Sequence, residues 1–254
     1  MSYSETDKVV LPLMLLASIL SAVILGYALR KKSERIRGIP TAAIASFMLF
    51  IEVIKQIRNI CGEFSSFSLP FHYCSLFVPV YVLAELCGTR PSRIFRPIAT
   101  FMSFIVGMGL YLFPDGIIGD ATKNFGKDFY STHTFIFHFL LIFYLAFVIA
   151  LRLSSPTIRD AINNGILGAA YMAYAIPLSY ALKTNYNNIL ESVIPQMESF
   201  RLNFGQVPYT ILLSVIMTVG IVIASLIYIG IRKLVSFGVE YILSEKLTDT
   251  ETNS

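Results

Sequence analysis

The chain has three histidines, and all of them fall near the same end of an apolar run. His72 precedes Cys74 by two residues at the start of one run, and His133 and His138 stand five apart at the start of another. A thiol becomes a nucleophile when a base takes its proton, and imidazole suits that task near neutral pH. Within one helix His72 and Cys74 point apart, because residues two apart do not share a face. His138, from a different run, is therefore the better base for Cys74. His72 and His133 are left to orient or contact a substrate. A thiol in the first turns of a helix also feels the positive end of the helix dipole, and Pro70 suits a helix start there.

A second group stands on one helical face. Glu52, Lys55, Gln56 and Asn59 are spaced i, i+3, i+4, i+7, which is one side of a helix. Ionisable residues inside apolar runs face a cavity or a bundle interior, so this face reads as the wall of a polar pocket. The segment Thr184-Asn185-Tyr186-Asn187-Asn188 is its candidate roof. Lys55, Gln56, Asn185 and the backbone N–H groups near Cys74 are the donors open to a developing oxyanion. Each feature also has a plainer reading. A cysteine in an apolar helix is often packing material, interfacial histidines are often satisfied by water, and Glu52 with Lys55 can be a structural pair. Cys61 and Cys74 could join in a disulfide across a short loop, with Cys87 inert. Zinc-type spacing is absent, so no metal is expected, and no nucleotide, haem or flavin motif is visible.

The elements that must position these residues are long. Seven runs have the ~20 apolar residues a membrane-crossing helix needs: Val9 to Leu29, Ile39 to Ile60, Pro70 to Cys87, Ile94 to Phe113, Thr132 to Leu151, Ile158 to Leu182 and Val207 to Ile231. They are continuous rather than alternating, which predicts an all-α polytopic bundle and not a β-barrel. With a rise of ~1.5 Å per residue, Cys74 lies about 6 Å below Pro70 and His138 about 9 Å below Thr132, in one layer.

Composition agrees. The 254 residues are 55% hydrophobic and only 14% charged, and mean hydropathy is +0.67. A soluble domain carries roughly 25% charge, so a soluble enzyme, a disordered chain and a disulfide-stapled secreted module are excluded. The net charge of +4 lies in short loops and does not point to a nucleic-acid partner. Most of the 20 basic residues cluster at alternate loops, beginning with Arg30, Lys31, Lys32, Arg35 and Arg37. That bias predicts an outside N-terminus, an inside C-terminus and a multi-pass protein of the cell membrane. The histidines and Cys74 then face outward. Two long outer loops, Pro114 to Ser131 and Lys183 to Gln206, suit lids or binding elements. The expected organisation is one transmembrane domain over residues 1–243 and a disordered inner tail over 244–254, with Leu234 to Leu243 as an amphipathic extension. Gly220 and Ala224 form a small-residue step that permits helix contact.

The residues also resemble a known family. Leu69-Pro70-Phe71-His72-Tyr73-Cys74-Ser75-Leu76 is similar to the P-x-H-x-C signature of the YwaF-like integral membrane proteins. Leu112-Phe113-Pro114-Asp115, Phe135-Ile-Phe-His138 and Asn185-Tyr186 resemble further segments of that family, in its order. The ordered set spans about the middle half of the chain. The family's eukaryotic branch is described as a cysteine-dependent acyltransferase of ether phospholipids. The resemblance implies Cys74 as the acyl-accepting nucleophile, His138 as the base, and a membrane lipid as substrate. Phe139 departs from the small residue common after that histidine, which predicts a narrowed approach to the imidazole.

The expected function is thus acyl transfer, or ester hydrolysis, through a thioester near the outer leaflet. A small-solute or ion transporter is the alternative, and a non-catalytic accessory protein a third. A transporter needs ionisable groups through the inner half, where Glu85, Asp160, Asn163 and Asn164 are the candidates.

Overall fold

A computed structural model of the chain describes residues 5–62 and 64–252, without the side chains of 115 and 236–252. The described residues are helical, with no strand. The helices are α1 (Glu5–Leu29), α2 (Glu34–Arg37), α3 (Ile39–Cys61), α4 (Phe77–Glu85), α5 (Thr89–Leu112), α6 (Pro114–Ile117), α7 (Phe129–Ala150), α8 (Ile158–Leu182), α9 (Pro195–Phe204) and α10 (Gln206–Thr252). Seven segments are long and apolar enough to cross a membrane. Six belong to α1, α3, α5, α7, α8 and α10, and the seventh is Ser66–Glu85, which ends in α4. The backbone of α10 continues through the stretch read as an extension. The division at residue 243 is not marked by any break, and residues 253–254 lie outside the described ones.

Local chemistry sets the helix ends. Thr157 and Asp160 form a reciprocal capping box at the start of α8, with Thr157 N–H donating to Asp160 Oδ2 at 2.8 Å. Asp128 accepts Ser131 N–H at 2.8 Å and starts α7; that backbone bond holds its carboxyl below the usual range. Such caps satisfy donors that the first turn leaves unpaired.

The third membrane segment departs from the expected helix. Regular α-helix begins only at Phe77, seven residues after Pro70. Before it come two 3-10 turns, Ser66–Ser68 and Tyr73–Leu76, joined by extended residues at Leu69 and His72. Two prolines account for this. Pro70 pushes Leu69 out of the α region. Pro79 lacks an N–H, so it fits the first turn of α4 but would break a helix already running from Pro70. Cys74 therefore sits in a 3-10 turn.

Around this irregular segment α3, α4, α5 and α7 pack closely, α1 lies against α7, and α8 and α10 close the other side. Met48, Phe77, Tyr81, Met102, Leu141 and Tyr144 are fully buried at the centre. The outward sides of α1 and α10 expose Leu16, Val23, Ile24, Ile211 and Ile223, as expected of lipid-facing helices. The acidic front of α1 is not simply solvated: Asp7 is buried, and Thr122 of the 114–131 loop donates to it.

The small-residue contact lies elsewhere than at Gly220, which has open space beside it. It is on α8. A Cβ at Gly165 would run into Val222 Cγ2, and one at Gly168 would meet Ile221 Cδ1 at 2.6 Å. Asn164 donates to Ser225 Oγ at 3.1 Å in the same seam. Gly168→Leu should force α8 from α10 and lower stability by about 1–3 kcal/mol, the usual range for overpacking. Gly220→Leu should leave stability near wild type. Thermal melting of both variants in detergent checks the contrast.

Candidate active site

Backbone polar groups in lipid must be satisfied by protein, so irregular backbone at membrane depth survives only where protein surrounds it or it lines a cavity. The stretch from Ser66 to Tyr73 meets that condition through side chains from three elements. From α3, Gln56 donates to Ser68 O at 3.0 Å. From α8, Tyr171 O–H donates to Phe71 O at 3.1 Å. From the loop after α8, Asn187 Oδ1 accepts Tyr73 N–H at 2.9 Å, Thr184 and Ser66 share a hydroxyl bond of 2.6 Å, and Tyr186 O–H donates to Ser66 O. The 184–187 segment thus roofs the residues that lead to Cys74. Burial pushes the Tyr186 phenol up, so it stays a donor.

Beneath the roof lies the polar face of α3. Glu52 is the hub, only 7% exposed. It accepts Lys55 Nζ at 3.0 and 3.2 Å and Gln56 Nε2 at 2.8 Å. His133 Nε2 stands 3.2 Å from Glu52 Oε2, close enough for charge attraction but not aligned as a hydrogen bond. Its ring stacks on Phe137 at 5.7 Å. Asn59 is used differently: its amide exchanges two bonds with the Ser65 backbone, at 2.9 and 3.1 Å, and closes the turn after α3.

Lys55 links this cluster to the reactive candidates. Its ammonium lies within electrostatic reach of Cys74, His72 and His138. The four side chains come from α3, α7 and the 3-10 segment, and Lys55 is the charge common to the other three. Cys74 is a half-buried free thiol, and Cys61 and Cys87 are free and exposed. The disulfide reading therefore does not apply to this structure.

His138 has the most telling environment. It is 5% exposed. Its Nδ1 lies 2.8 Å from Thr134 O, one turn earlier in α7. A carbonyl only accepts, so Nδ1 carries the proton, and Nε2 of the neutral ring presents a lone pair. That Nε2 is buried and has no hydrogen-bond partner among the described residues. Buried polar atoms are nearly always paired, and this one is left with its lone pair unused. Phe139 does not narrow the approach. It packs with Leu11, Leu110 and Ile118 on the α1 side of α7 and meets the Phe135 ring at a tilt, centroids 4.5 Å apart.

His72 and Asn185 stand further from the chemistry. His72 bonds Phe67 O through Nε2 at 3.0 Å and packs edge-on against Phe67 and Tyr186, at 4.5 and 5.0 Å. It ties the roof to the segment below. Asn185 spends its amide on Leu190 N–H, Glu191 N–H and Glu191 O, closing its own loop. The residue that reaches the site from this loop is its neighbour-but-one, Asn187. The polarity of Asn187 signals that role, as does its left-handed φ of 48°, which asparagine tolerates better than most residues. Tyr73 and Tyr171 also flank Cys74 within electrostatic reach; as aromatics in an apolar run, they read from sequence as core.

Asn187→Ala removes the acceptor for Tyr73 N–H and strains the backbone. We expect a loss of about 1–3 kcal/mol, the scale of an unpaired buried donor. Faster hydrogen exchange at residues 66–76, with α10 unchanged, would register it. Unchanged exchange would mean that the roof does not hold this segment.

At the other end of the bundle Glu85 and Arg96 form a second polar group. Arg96 grips Glu85 with Nε and Nη2 at 2.9 and 3.0 Å, while Tyr144 and Thr41 donate to the same carboxylate at 2.7 and 2.8 Å. This group is closed on itself, and between the two layers lie Phe77, Tyr81 and Leu141 of the apolar core. Asn164 and Asp160, the other inner candidates, serve the α8–α10 seam and the α8 cap.

A family model described as the TMEM164 family matches residues 2–228. No curated protein and no solved structure matches the chain. The family match spans nearly the whole bundle, including every residue of the polar layer; nothing in it speaks for the YwaF-like group in particular.

Proposed function

This chain belongs to the TMEM164 family, and from that premise we propose that it is a lipid acyltransferase or lipid ester hydrolase working through an acyl-thioester on Cys74. The observation that carries the reading is the buried Nε2 of His138, unpartnered among the described residues; Lys55 acts electrostatically on both His138 and Cys74. The resemblance of the Pro70 to Cys74 segment to cysteine-dependent acyltransferases of the YwaF-like group supports it.

Each residue then has one task. His138 Nε2 takes the proton of Cys74 Sγ. The sulfur attacks the ester carbonyl carbon, and the carbonyl electrons move to oxygen. Lys55 Nζ has three N–H groups, and with Glu52 as its acid partner it can aim one of them at that oxyanion. Collapse breaks the ester C–O bond, and the proton on His138 leaves with the alcohol. A second alcohol, an amine or water then gives its proton to Nε2, attacks the thioester and frees the thiol. An apolar notch of about 90 Å³ between α3 and α7, lined by Ile51, Ile54, Phe129 and Ile136, ends at Thr132 and His133. It offers an acyl chain a lateral approach from lipid.

The test is trapping of the thioester. Membranes carrying the full chain are treated with an alkynyl phospholipid ester, and protein-bound acyl label is released by hydroxylamine. We expect label on the wild type and on Cys61→Ala, and none on Cys74→Ala. Equal labelling of wild type and Cys74→Ala would overturn the proposal.

A further inference from the structure

A second cavity lies away from Cys74. It opens at the other end of the bundle, has a volume of about 980 Å³, and is walled by α2, α3, the end of α4, the start of α5 and the loop after α7. From Cys74 the chain runs eleven residues to Glu85 on this wall, about 18 Å of 3-10 and α-helical rise.

Its lining is rich in unspent donors. Arg35, Arg93 and Arg96 line it, with Ser92, Ser154 and Ser155. Arg232 reaches its edge, donating to Ser155 Oγ at 2.9 Å. Three carboxylates share the wall, but two are occupied. Glu85 is held by Arg96, and Asp160 caps α8. Glu34 is exposed and sits 3.7 Å from Arg96. Arg35 and Arg93 have no carboxylate within ion-pair distance among the described residues. Ser154 Oγ is buried and makes no hydrogen bond there. The cavity therefore presents two exposed, uncommitted guanidiniums beside a bidentate ion pair that fixes its floor, and the unpaired Ser154 hydroxyl lies buried beneath its wall.

Guanidinium is planar and matches the oxygens of a phosphate two at a time, and hydroxyls complete such a site. We propose that this cavity binds a phosphate ester group, held by Arg35 and Arg93 with Ser92 and Ser155. A loop-borne charge that only reports membrane orientation needs no cavity and no unpaired hydroxyl beneath it. The ester's source is either a lipid headgroup drawn from the adjoining leaflet or a soluble phosphate ester.

Native mass spectrometry of the purified full chain separates the outcomes. The protein is offered dioleoyl phosphatidylglycerol in detergent and, separately, glycerol 3-phosphate. We expect one phosphatidylglycerol to stay bound to the wild type, and its retention to fall at least tenfold in Arg35→Gln/Arg93→Gln. The control is Lys31→Gln/Lys32→Gln, which removes two charges from the same end outside the cavity and should retain the lipid. A melting-temperature rise with glycerol 3-phosphate, lost in the arginine double variant, would assign a soluble ester instead. Equal loss in the lysine and arginine variants would reduce the effect to surface charge and overturn the site, as would failure of both probes to bind.

Discussion

His138→Ala should slow acylation of Cys74 by about 10²- to 10⁴-fold, the range that a positioned general base supplies. The argument rests on one hydrogen bond and one missing one. Nδ1–H is committed to Thr134 O, so the tautomer is fixed by the backbone of the same helix. Nε2 is left as the basic atom, buried and unpaired. Alanine removes the base and leaves the Thr134 carbonyl as free as that of any helix residue, so the fold should hold. The check is the rate of hydroxylamine-sensitive labelling, read beside the melting temperature. Slow labelling at an unchanged melting temperature supports the assignment. His133→Phe provides the contrast: it keeps an aromatic ring against Phe137 and loses the approach to Glu52, so it should slow labelling far less. A His138→Ala protein that is folded and labels at the wild-type rate would remove the histidine from the mechanism.

The elements were largely legible in the sequence because lipid imposes length and continuity. Seven apolar runs became seven candidate membrane segments within a few residues at each end, as for Ile158–Leu182. The face of Glu52, Lys55 and Gln56 was legible for the same reason, since charged residues in an apolar helix must turn inward. Two of the exceptions involve a partner distant in sequence. The break of the third segment follows from Pro70 and Pro79, but its stability depends on Tyr171 and Asn187, about 100 residues later. Asn59 and Asn185 look like site residues by type, yet each is used by its own turn. The burial of Asp7 needs Thr122, and spacing alone does not reveal that pairing. The unpaired Nε2 of His138 is a property of what surrounds the ring, so residue type announced only that a base was available.

Glu85→Leu should be the most destabilising single substitution outside the apolar core, at about 3–5 kcal/mol, because breaking a buried ion pair strands its partner. The Glu85 side chain is 1% exposed and that of Arg96 is 15% exposed. Leucine would also leave Tyr144 O–H and Thr41 Oγ1 without the carboxylate they share. Arg96→Met should fall in the same range, since it leaves the carboxylate uncompensated. Glu85→Leu/Arg96→Met together should regain most of the loss, because removing both charges removes the desolvation cost along with the attraction. Melting of the three variants measures this coupling. Their labelling at Cys74, normalised to folded protein, separates a structural clasp from a transport path. A clasp leaves labelling in the double variant near wild type, because the apolar layer of Phe77, Tyr81 and Leu141 stands between the two polar groups. If ionisable groups formed one conduit, loss of Glu85 would change the environment of Lys55 and His138, and labelling would change with it.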